Sequence, residues 1–146
     1  MIIQEFYIKK YDWLVRIYYF VDEYYVSLIE KDLKDLECED VKECIKPFKE
    51  GKLNAGLTYT NPDYNTSVVV IGKTSSPEEF FSTYDHEKGH LAVHIAISED
   101  LDLTGEDIQY LSGTIAKKTF KIAQMFLCEH CNCNIEKYKG KFISES

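Results

Sequence analysis

The sequence predicts an α+β domain: a small antiparallel or mixed sheet packed against one long helix, with a second helix behind it. Three observations carry this. Runs rich in Ile, Val, Tyr and Phe come in pairs, over residues 2–21 and 57–73. A strongly punctuated helix start follows at Ser76-Pro77-Glu78-Glu79. Hydrophobic residues make up 45% of the chain, with 8 Phe, 11 Tyr and 1 Trp, enough large side chains to fill a core without disulfides. A length of 146 residues suits one domain, so 1–146 is read as a single unit.

The elements follow in order. Ile2 to Lys9 and Asp12 to Val21 read as a hairpin joined at Lys10-Tyr11. From Asp22 to Lys46, Leu28, Leu33, Leu36, Val41 and Ile45 recur at helical spacing among Glu and Lys. This predicts one or two amphipathic helices stopped near Pro47 and Gly51. Leu57 to Thr60 and Ser67 to Lys73 form a second strand pair across Asn61-Pro62-Asp63-Tyr64-Asn65, which has turn chemistry. Ser76 as N-cap, Pro77 in the first helical position and Glu79 three residues after the cap open a helix running to about Ser98. After a short turn, Thr104 is a candidate N-cap for a helix that carries Ile108, Leu111, Ile115, Ile122 and Phe126 on one side.

Within the first of these long helices stands His86-Glu87-Lys88-Gly89-His90, an H-E-x-x-H pentapeptide. Composition alone would produce such a match only about 0.01 times in a chain like this one. On a helix, positions i and i+4 share a face, with Cβ atoms about 5–6 Å apart. Two imidazoles so placed can converge on one Zn²⁺ at about 2.0–2.1 Å each. Glu87 points about 100° further round, away from the ion but within reach of a water bound to it. The chemistry needs both parts. Zinc lowers the pKa of its water toward ~7, and a nearby carboxylate takes the proton. The plain alternative is an exposed helix face with two unrelated histidines.

The stretch from about Thr58 to Phe126, with its strand, loop, HExxH helix and following helix, resembles the zincin metallopeptidases. Gly89 beside the second histidine is a frequent form of the motif there, implying close helix packing. More narrowly, Asp85-His86-Glu87-Lys88-Gly89-His90-Leu91-Ala92-Val93-His94-Ile95-Ala96 with Gly105-Glu106-Asp107-Ile108-Gln109-Tyr110-Leu111 is similar to small proteins of prophages and mobile elements of gut Bacteroidetes. The resemblance implies a zincin-like fold, a Zn²⁺ cofactor and a peptide or protein substrate. No histidine stands six residues after His90, so the metzincin form is absent. A gluzincin-like arrangement takes a glutamate from the next helix, which makes Glu106 the candidate third ligand beside His86 and His90. Its rivals are Asp107 and Asp102, and its bland reading is an acid favoured at a helix N-terminus. A short antiparallel return would leave Glu106 two turns or more beyond His90 unless the turn folds back.

Two further features stay open. His94 shares the face of His90, but a rigid helix spreads His86, His90 and His94 over about 12 Å, too far for one ion. It is a hydrogen-bond donor behind the ligands or a surface group. Tyr110 could donate to an oxyanion, or serve the core or surface. Cys128, His130, Cys131 and Cys133 offer a weaker zinc site, for which Cys38 and Cys44 would have to join; the alternative is free thiols at a helix end.

Composition narrows the classes. Lys and Arg number 17 against 25 Asp and Glu, a net charge of −8, which argues against nucleic acid and anionic membrane as partners. The N-terminus lacks a basic start and an apolar core, and the longest near-apolar stretch, Trp13 to Val21, is interrupted by Arg16. Five cysteines without a secretory signal point to a reducing, cytoplasmic setting. The expected reading is a zinc peptidase with Glu87 as general base and a shallow cleft bounded by Ser67 to Lys73, whose exposed edge could hold an extended peptide. The alternative is an inactive zinc-containing protein or a metal-free assembly module.

Overall fold

The computed structural model describes residues 1–128 and 140–145. Strands β1 (Ile2–Ile8), β2 (Trp13–Val21), β3 (Gly56–Asn61), β4 (Thr66–Gly72) and β5 (Phe142–Glu145) form one mixed sheet in the order β3-β4-β2-β1-β5. The two hairpins, β1/β2 and β3/β4, are antiparallel, while β2/β4 and β1/β5 are parallel. Helices α1 (Val26–Asp35) and α2 (Val41–Lys49) cover one face; α3 (Pro77–Ser98) and α4 (Glu106–Ala123) cover the other. No described helix is long and apolar enough to cross a membrane.

This is a mixed α+β architecture, and it differs from the expectation in how it is layered. The apolar run Val68-Val69-Val70-Ile71 is buried on both sides because β4 is sandwiched. Val68 and Val70 pack under α1 and α2, and Val69 and Ile71 under α3 and α4. The strand expected to offer a free edge at Ser67 to Lys73 is therefore interior, paired on one side with β2 and on the other with β3. The edge is β3.

Local chemistry explains the helix ends. Ser76 Oγ accepts from Glu79 N at 3.1 Å and Pro77 is the first residue of α3, as its capping signal predicts. Thr104 is not the cap of α4. Its N–H and hydroxyl both donate to Asp102 Oδ1, and the helix starts from Gly105. Helix α2 ends near Pro47 and Gly51, as expected: it runs through Pro47 to Lys49, with Phe48 buried beneath it, and stops where Gly51 takes a φ of +68°. Arg16 in β2 bonds Glu5 of β1 and Asp32 of α1, which ties that helix to the sheet.

Candidate active site

The motif occupies the middle of α3, over the edge of the sheet. His86 and His90 are exposed on the helix, and their Nε2 atoms lie 3.1 Å apart, one ring donating to the other. The rings meet edge to face, with centroids 4.6 Å apart. Nitrogens separated by 3.1 Å, each at 2.0–2.1 Å from an ion, would subtend about 95–102°, close to the ~109° of a tetrahedral zinc site. The separation is one that two zinc ligands can take, provided the proton shared between the two Nε2 atoms moves to a ring Nδ1 and leaves both nitrogens bare.

Glu87 turns from this face into the sheet side and is only 6% exposed. Its Oε2 accepts from Thr58 Oγ1 at 2.6 Å, a hydroxyl that also lies 3.3 Å from the Glu87 carbonyl. A short bond to a carboxylate is a strong one and fixes the side chain's direction. Gly56 makes room for it. A Cβ there would stand 2.5 Å from Oε1 and 2.7 Å from Cγ of Glu87, so no larger residue fits without displacing the carboxylate. Beside Gly56 and Glu87 opens a hollow of about 430 Å³, also lined by Thr83, His86, Lys52 and Asn54. Glu87 and His86 thus border one open space from two sides.

His94, one turn after His90, is half-buried, and its Nδ1 meets Thr60 Oγ1 at 2.9 Å. Thr60 in turn touches Ser67 Oγ at 2.7 Å, and Ser67 accepts from Trp13 Nε1 at 2.9 Å. Burial lowers the His94 pKa below the ordinary imidazole value; the neighbouring His90 adds to this, and Glu87 opposes it.

Glu106 does not reach the pair. Helix α4 returns along α3 with Thr119 hydrogen-bonded to Tyr84 and Ser112 Oγ 3.4 Å from Lys88 Nζ. His86 and His90 each stand two residues from Lys88, about 160° round the helix and so on the opposite flank. Glu106 lies a further ~9 Å toward the C-terminal end of α3 along that covered side. Of its rivals, Asp107 pairs with Lys10 at 3.9 Å and Asp102 is held by Thr104. Among the described residues, no group of three or more His, Cys, Asp or Glu side chains is arranged to hold a metal ion.

Tyr110 is 69% exposed on α4, in a separate hollow with Lys9, Lys10 and Lys118. Gly89 admits no close packing, since a Cβ there would meet nothing within 4 Å. Cys38 and Cys44 are free thiols packed under the sheet face opposite α3. Burial, and then the adjacent Cys38, push the Cys44 thiol up to about 11. Cys128 is a free, half-buried thiol, while His130, Cys131 and Cys133 lie outside the described residues.

The motif alone did not point to Gly56, Thr58 and Thr60. Their spacing could have: residues i, i+2 and i+4 of a strand share one face, so a bare glycine and two hydroxyls line up toward whatever covers that face. Comparison with protein-family models, with curated proteins and with solved structures returns no match for this chain.

Proposed function

We propose that this chain is a zinc-dependent peptidase with a zincin-like arrangement of an edge strand beside an HExxH helix. The observation that carries the reading is the converging His86 and His90 Nε2 atoms, 3.1 Å apart, beside a buried carboxylate aimed by Thr58. His86 and His90 would hold the ion. When bound, it supplies Lewis acidity, bringing the pKa of a coordinated water toward ~7 and polarising a carbonyl. Glu87 takes a proton from the attacking water and returns it to the leaving amine. Thr58 keeps one carboxylate oxygen engaged, so the other, beside Gly56, is the one that works. The outer edge of β3 is unpaired within the described sheet and runs beside the hollow, where an extended peptide can add as a further strand.

The test is elemental analysis together with cleavage of a peptide library by wild type, Glu87→Gln and a His86→Ala/His90→Ala double variant. One zinc per chain in wild type and in Glu87→Gln, none in the double variant, and cleavage by wild type alone support the reading. General-base loss should cost about 10²–10⁴ in rate. Zinc retained by the double variant moves the metal elsewhere. A wild type that holds zinc but cleaves nothing favours an inactive zinc protein, and one that purifies metal-free and inactive favours an assembly module.

A further inference from the structure

The hydroxyl chain ending on His94 determines which ring nitrogen carries the proton. Trp13 Nε1 can only donate, and it donates to Ser67 Oγ at 2.9 Å. Ser67 is fully buried, and its one remaining partner among the described residues is Thr60 Oγ1 at 2.7 Å. A buried hydroxyl proton left without an acceptor is costly, so Ser67 donates to Thr60. Thr60 then has its own proton to give, and its other side-chain partner is His94 Nδ1 at 2.9 Å. A ring nitrogen that accepts carries no hydrogen, and a neutral imidazole then has its proton on Nε2.

We propose that the Trp13–Ser67–Thr60 chain holds His94 as the Nε2–H tautomer, and that this N–H donates to the carbonyl oxygen of a peptide lying at the histidine pair. The first half stands on the hydrogen bonds alone; the second rests on the peptidase reading above. His94 follows His90 by one turn, with ring centroids 6.0 Å apart, and its Nε2 has no hydrogen-bond partner among the described residues. A ligand needs a bare nitrogen, and the chain of hydroxyls uses up the only bare one. His94 is therefore a donor and not a third ligand. A preset donor costs no reorganisation when negative charge develops on the carbonyl oxygen. Trp13, Ser67 and Thr60 are positioning residues that act through it.

Two-bond nitrogen–proton correlation spectra of uniformly ¹⁵N-labelled protein at pH 8 report the tautomer of each histidine, with His94 assigned by His94→Gln. The expected wild-type signal is a single Nε2–H tautomer. Thr60→Val removes the donor at nearly constant shape, and Ser67→Ala removes the middle link. Either one, if folded, should shift His94 toward a mixture of tautomers. An Nδ1–H pattern in wild type overturns the proposal, as does a tautomer indifferent to both variants. On a peptide that wild type cleaves, His94→Leu should lower kcat by about 10²–10³ with KM and zinc content little changed; an unchanged kcat overturns the donor role. A wild type with the expected tautomer and bound zinc but no cleavage overturns the peptidase reading, and the donor role with it, and leaves the tautomer assignment standing.

Discussion

Gly56→Ala tests how tightly the edge strand grips the Glu87 carboxylate. The glycine has no positive φ, so alanine is compatible with the strand backbone there. On that ground alone it would stabilise by about 0.4–1 kcal/mol through the unfolded chain. Its Cβ, however, would stand 2.5 to 2.8 Å from Oε1, Cγ and Cδ of Glu87, and the carboxylate must move off Thr58 to relieve this. Losing a hydrogen bond to a charged group costs about 1.5–3 kcal/mol. The difference predicts a net loss of about 1–2 kcal/mol for Gly56→Ala in the wild-type background. In a Glu87→Ala background the clash is gone, and the same substitution should be neutral or stabilising. Urea unfolding of the four proteins closes the cycle, with an expected coupling of about 2 kcal/mol between contacting groups. A coupling near zero, with Gly56→Ala equally damaging in both backgrounds, would refute the claim that the glycine exists to seat Glu87.

Two more outcomes follow from positions outside that contact. Gly89→Ala should raise stability by about 0.5–1 kcal/mol, since helix-interior glycine is costly and the new methyl meets nothing. Thermal unfolding would show this as a rise of about 1–4 °C, and a fall in Tm would refute the open environment. Cys44, its pKa pushed up to about 11, should resist iodoacetamide at pH 8 and label roughly tenfold faster per unit of added pH up to pH 10. Mass spectrometry of labelled peptides reads this directly, and a rate at pH 8 equal to that of the urea-unfolded chain would refute the half-buried thiol beside Cys38.

Much of the fold is legible because its signals are local. Ser76 and Pro77 mark the start of α3 through one side chain's bond to one backbone N–H, and both β hairpins announce themselves by β-branched runs around turn residues. The i, i+4 convergence of His86 and His90 follows from helix geometry alone. Where several local signals compete, the boundary moves by a residue or two. Asp102 captures Thr104 before it can cap α4, and between Pro47 and Gly51 the burial of Phe48 sets the end of α2 at Lys49.

What lies beyond reach of such reading is relative placement. No local pattern says that β4 joins β2 in parallel and so loses its free edge, or that β5 closes the far side of the sheet beside β1. The same holds for α1 and α2, whose amphipathic faces show that they pack but not on which side of the sheet. At the site, residue spacing determined the histidine pair and the offset of Glu87. Tertiary packing decided that Thr58 and Thr60 would meet Glu87 and His94 across 29 and 34 residues of chain, and that α4 would carry Glu106 along the opposite flank of α3. Spacing along a helix is set by its own backbone geometry, whereas contacts between elements depend on which apolar faces bury each other, a balance over the whole chain that no short stretch encodes.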